Sequence, residues 1–132
     1  MVNRLVWDER YRVGNEALDA QHEGLFELCN ALADCLDGDD GTDARRFDQL
    51  YAELKECARR HFATEEALLA ASGYPGLDDL RSEYEEFDYL SGEIATRENF
   101  ARSELQTFLA LWWAGHVTGA ARNFPAWLTG GA

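Results

Sequence analysis

His61 and Glu65 stand four residues apart in the run Arg60-His61-Phe62-Ala63-Thr64-Glu65-Glu66. In a helix, residues at i and i+4 lie one above the other on the same face. A neutral imidazole and an ionised carboxylate placed this way are two of the three ligands of a 2-His-1-carboxylate iron site. Phe47, Leu50, Leu54, Cys57, His61, Glu65 and Leu68 recur at spacings of three and four, so the pair belongs to a stripe predicted to face a core. No Lys or Arg shares that stripe. A buried carboxylate must be neutralised, paired or coordinated to a cation, and a metal ion meets that need.

The elements that must position this pair follow from the same periodicity. Residues 1–17 lack a helical period and read as an ordered arm, with Trp7 and Tyr11 available to pack onto the body of the fold. Helices are predicted over about 19–37, 43–72, 77–95 and 100–119, followed by a tail over 120–132. The first carries the apolar stripe Leu18, His22, Leu25, Phe26, Cys29, Leu32, Leu36 and ends at Asp37-Gly38-Asp39-Asp40-Gly41. Thr42 or Asp43 can cap the second, and Gly73-Tyr74-Pro75-Gly76 reads as a turn. Leu77, Leu80, Tyr84, Phe87, Leu90 and Ile94 face inward on the third helix, with an acidic, solvated opposite face. Leu105, Phe108, Leu109, Trp112, Trp113, His116 and Ala120 face inward on the fourth, which Gly119 and Pro125 are expected to close. Of Trp112 and Trp113, one is expected in the core and the other at a seam between helices.

Four such helices with short connections predict an all-α, up-down-up-down antiparallel four-helix bundle forming a single domain over 1–132. Antiparallel packing places His22 (early in helix one), His61 and Glu65 (late in two), Tyr84 (early in three) and His116 (late in four) at one end. All three histidines of the chain therefore fall at one level with the buried glutamate. His22, His61, His116 and Glu65 are the candidate ligands, and three nitrogens with a carboxylate suit Fe(II) and also Zn²⁺.

Composition bounds the partners. Net charge is −13, from 25 acidic and 12 basic residues, which argues against nucleic acid and anionic membrane surfaces. No apolar run approaches the roughly 20 residues of a membrane span. The start turns acidic too soon for a signal peptide. Cys29, Cys35 and Cys57, odd in number and without a CxxC, predict reduced thiols and a cytoplasmic setting. Cys29 and Cys57 are expected to look inward as small hydrophobes.

Trp7…Tyr11-x-Val13-Gly14, Asp19-Ala20-Gln21-His22, His61-Phe62-x-x-Glu65-Glu66, Tyr74-Pro75 and Trp113-x-x-His116-Val117 together resemble the bacterial hemerythrins across about residues 7–128. The resemblance implies a four-helix bundle with two non-haem irons that binds O₂ reversibly. It implies His22 and His61 as ligands of the O₂-binding iron, Glu65 as a bridging carboxylate, and His116 as one of three histidines on the other iron. The other two family histidines correspond to Leu80 and Tyr84, and the second bridging carboxylate to Ala121. Leu80 and Ala121 cannot coordinate, whereas Tyr84 can be a phenolate ligand or a packing residue that hydrogen-bonds Glu65 or His116. The expectation is an altered, mononuclear iron site binding O₂ or NO for storage, delivery or sensing, with zinc as the alternative metal. An enzyme activating O₂ or peroxide and a metal-free interaction module are the competing functions, and no substrate motif favours the enzyme.

Overall fold

The computed structural model describes residues 4–36 and 43–128. Four long helices carry it: α1 (Glu16–Leu36), α2 (Ala44–Ala71), α3 (Leu77–Ala95) and α4 (Arg102–Asn123), with a one-turn α5 (Pro125–Leu128) at the end. Among the described residues there is no strand. α1 packs on α2 and α4, and α3 closes the bundle against the same two helices. No helix among the described residues is long and apolar enough to cross a membrane.

The arm packs as its aromatics predict. A 3₁₀ turn at Glu9–Tyr11 is capped by the Asp8 carboxylate, which accepts from the Arg10 N–H. Trp7, Tyr11 and Phe26 meet edge to face, with centroids 5.5–6.1 Å apart. α1 begins three residues before the expected Asp19. Asn15 starts it instead, its Oδ1 accepting from the Leu18 N–H. Asp19 thus falls within the first turn of α1. It is buried, and its Oδ1 accepts from Val13 N–H at 2.7 Å, tying the arm to α1 one turn before His22.

Asp43 caps α2 by accepting from Arg46 N–H. The expected stop at residues 37–41 and the alternative cap Thr42 lie outside the described residues. At its other end α2 closes through Gly73 (φ 75°), whose left-handed backbone lets Gly73 N–H reach Ala70 O and Tyr74 N–H reach Leu69 O. That turn delivers Tyr74 to Phe124 and Trp127, fixing the α5 segment over this end of the bundle. α4 runs past Gly119 to Asn123. Gly119 is not among the glycines with positive φ, so it continues the helix, and the stop comes just before Pro125.

The α2 core stripe is rotated from the one expected. Ala58 and Leu69 are buried where the sequence pattern predicts Cys57 and Leu68, and those two are only half-buried. A period of 3.6 drifts relative to strict threes and fours over seven turns, so the inward face advances by one residue. On α3 the same drift buries Ser91 while Leu90 stays half-exposed, and Leu77 is half-buried as well. On α4, Trp113 is fully buried and Trp112 half-buried at the α3 seam, against Phe87 at 4.6 Å.

Candidate metal centre

Each long helix of the bundle except α3 brings a nitrogen or oxygen donor to one level. His22 from α1, His61 and Glu65 from α2 and His116 from α4 offer one ligand atom each, all within 4.8 Å of one another. The His22, His61 and Glu65 side chains are 0% exposed and that of His116 is 4% exposed. Glu65 is the hub. Its Oε2 lies 3.0 Å from His61 Nε2 and 3.4 Å from His22 Nε2, and its Oε1 lies 3.2 Å from His116 Nε2. His61 Nε2 and His116 Nε2 are 3.4 Å apart.

The protons decide what this cluster can be. His61 Nδ1 lies 2.8 Å from Gln21 Oε1, and Gln21 Nε2 donates to Thr64 Oγ1 at 3.4 Å. The Thr64 hydroxyl in turn donates to Arg60 O. Gln21 Oε1 can only accept, so His61 carries its proton on Nδ1. Burial keeps the His61 ring neutral, with its pKa below the usual histidine range despite Glu65. Its Nε2 is then a bare lone pair aimed at a carboxylate oxygen 3.0 Å away. Burial likewise pushes His22 down to about 4, against the pull of Glu65. Neither ring nitrogen of His22 has a hydrogen-bond partner, although both are buried. Burial alone would raise Glu65, but its neighbours, His116 first, outweigh it and hold the carboxyl well below its ordinary range. The bare His61 lone pair and the Glu65 carboxylate repel one another unless a cation lies between them. The donor set therefore fits a metal ion, on the strength of its hydrogen-bond arrangement.

On the α3 side the site is closed by packing. The Tyr84 hydroxyl donates to Glu65 Oε1 at 2.6 Å, and burial next to that carboxylate raises the phenol pKa. Its ring stacks on Phe62 at 4.1 Å, and Phe62 stacks on Trp113 in turn. Leu80 is buried one turn earlier. Trp112 lies parallel to the His116 ring at 5.2 Å and holds its orientation. Ala121 is half-buried and lines a shallow cavity with Arg10, Tyr11, Thr118 and Arg122, outside the cluster. Gln21 and Thr64 are the functional residues that sequence reasoning missed. Their signal was their place, one residue before His22 and three after His61, but neither has an intrinsic bias toward metals.

The family model described as "Hemerythrin HHE cation binding domain" matches residues 13–128. This chain belongs to the hemerythrin family. Its relatives include a bacteriohemerythrin of Clostridium acetobutylicum, 28% identical over 90% of this chain and 97% of the relative. A bacteriohemerythrin of Ralstonia nicotianae is 30% identical over 92% of this chain and 87% of its own length. Hemerythrin subunit 1 of Golfingia vulgaris is 30% identical over 76% and 79%. No solved structure gives a significant match. The domain is thus a hemerythrin-like metal-binding one, from a family that binds non-haem iron, with a His/Glu cluster able to hold an ion.

Proposed function

We propose that this hemerythrin-like domain holds one non-haem metal ion, iron before zinc, through His22, His61, Glu65 and His116, and binds O₂ or NO there for storage, delivery or sensing. The observation that carries the reading is the His61 lone pair aimed at Glu65 Oε2 from 3.0 Å, with its Nδ1–H committed to Gln21. A single ion is supported by spacing. Donors about 2.1 Å from one ion are about 3.0 Å apart when adjacent around an octahedral ion and about 3.4 Å apart around a tetrahedral one. Four of the separations between these nitrogens and oxygens run from 3.0 to 3.4 Å, and one donor atom from each residue lies within 4.8 Å of the other three.

The chain's own residues set the terms of binding. Gln21 fixes the His61 tautomer and ring plane, as outer partners of metal-binding histidines do. Glu65 supplies the negative charge beside the neutral imidazoles of His22 and His61, which suits a divalent cation. Tyr84 occupies Glu65 Oε1 through its hydroxyl and, with Leu80, fills the volume where the family places two further histidines. Iron bound here would supply open coordination positions for a diatomic gas. The metal-free alternative leaves the His22 nitrogens orphaned in the core, which disfavours it.

Metal analysis of protein purified without added metal tests the reading. About one equivalent per chain is expected, released on acidification as the imidazoles protonate. Two equivalents of tightly held iron would overturn the single-ion site, and no retained metal with any divalent ion offered would overturn the function.

A further inference from the structure

The cluster is buried, and on one side a cavity reaches it. His116 lines this cavity, of about 260 Å³, between the start of α3 and the end of α4. Asp79 and Glu83, one turn apart on α3, line it with Leu80. Both carboxylates are exposed, and the nearby Arg81 bonds Glu66 and Asp78 rather than either of them. The α4 wall is stripped of side chains at Gly115 and Gly119, and a Cβ built at either would meet nothing within 4 Å. A larger cavity of about 540 Å³ lies on the opposite side, between α1 and α2, and exposes Gly24, Cys57 and Arg60. None of the four ligands lines it, and the Gln21 amide, bonded to His61, stands between it and the cluster.

We propose that the α3–α4 cavity is the portal through which a divalent cation reaches the buried cluster, with Asp79 and Glu83 drawing it in and His116 receiving it. The proposal rests on the metal-binding reading above and adds the route. Asp79 and Glu83 are not a binding site, since among the described residues they form no group able to hold an ion with a third donor. Their work is electrostatic: a cleft lined by one sign of charge raises the local concentration of counter-charged solutes and the rate of association. Gly115 and Gly119 keep the wall low enough for a hydrated ion to reach the imidazole. Leu80 gives the inner wall no donor, so the ion is not held before it reaches His116.

Stopped-flow loading of Co²⁺ into the metal-free full chain, followed by visible absorption, tests the route, with chelator-driven release as its partner measurement. Gly119→Leu and Gly115→Leu should slow loading and release by a common factor of about ten, corresponding to about 1.4 kcal/mol of added barrier, and leave the equilibrium affinity unchanged. Replacing a mid-helix glycine by leucine favours the helix, so these variants are expected to fold. Gly24→Leu, filling the opposite cavity, should leave both rates as they are. Asp79→Asn with Glu83→Gln should slow loading roughly 3- to 10-fold at low ionic strength, and the difference should vanish at about 0.5 M salt. Unchanged rates in the glycine variants, or slowing by Gly24→Leu instead, would overturn the portal. If a glycine variant lost Co²⁺ binding at equilibrium, the charge pair would decide, with salt-independent wild-type loading rates overturning the proposal. A wild-type chain that takes up no Co²⁺ would fail the metal reading itself and the route with it.

Discussion

The α1–α2 half of the centre and the α3–α4 half solve the same burial problem in different ways. On the first, every polar group is a donor to the cluster or supports one: His22, His61 and Glu65 converge, and Gln21 and Thr64 hold His61 from behind. On the second, His116 brings a nitrogen to the cluster, and the remaining volume is filled by Leu80 and by Tyr84 and Trp113, which stack on either side of Phe62 from α2. One half is specified by hydrogen bonds and the other by packing. The difference teaches that a buried carboxylate can be surrounded by polar groups on one side and by close packing on the other. Leu80 and Tyr84 fill the α3 side, and the Tyr84 phenol also satisfies one oxygen of Glu65.

Substitutions that break the polar half should have the largest effects. His61→Ala and Glu65→Ala are each expected to abolish tight metal binding, measured by equilibrium dialysis. In the metal-free protein His61→Ala leaves a cavity that costs on the order of 1–3 kcal/mol in denaturant unfolding. Glu65→Ala should cost less than that or stabilise, because it removes a buried charge. Unchanged affinity in both variants would show that the cluster is not the site.

Acid should separate the halves next. The folded pKa of His22, about 4, lies below its ordinary 6.5, so between these values the unfolded chain binds the proton that the folded one refuses. Stability of the metal-free protein is therefore fully present above about pH 6.5 and falls as pH drops toward 4, by on the order of 3 kcal/mol for this group. Glu65, also held below its ordinary value, acts in the same sense at still lower pH, its contribution lost as pH falls through its folded pKa. His22→Leu should flatten the pH 4–6.5 portion of the unfolding free energy. An equally steep profile in that variant would place the titration elsewhere.

Gln21→Ala sharpens the comparison from outside the cluster. Loss of an outer partner of a metal-binding histidine costs about 10–100-fold in metal affinity, and that loss is the expected result by competition titration. An affinity equal to wild type would mean that His61 needs no help from α1. Tyr84→Phe should have the smallest effect, about 1 kcal/mol for one hydrogen bond, with the visible spectrum of the Fe(III) protein unchanged. A charge-transfer band present in wild type and absent in Tyr84→Phe would make Tyr84 a ligand and move it to the polar half.

The two cysteines that the sequence pattern places alike come apart in the structure. Cys29 is fully buried, and burial pushes its thiol up to about 12, so it behaves as a core hydrophobe. Cys57 turns out of the core with the rotation of the α2 stripe and faces the α1–α2 cavity.

Periodicity alone determined four helices, their inward faces to within about one residue and, through antiparallel counting, the meeting of His22, His61, Glu65 and His116 at one level. Those are consequences of local backbone geometry, a rise of about 1.5 Å and a turn about every 3.6 residues, which each segment carries within itself. Tertiary structure decided the rest. Whether Tyr84 points its hydroxyl at Glu65 or at a metal, whether Gln21 reaches His61 across the α1–α2 seam, and whether Cys57 or Ala58 faces the core all depend on how far one helix is rotated and shifted against its neighbour. A hydrogen bond is lost within less than an ångström of such a shift, and the relative placement of two helices is set by the packing of all their side chains at once.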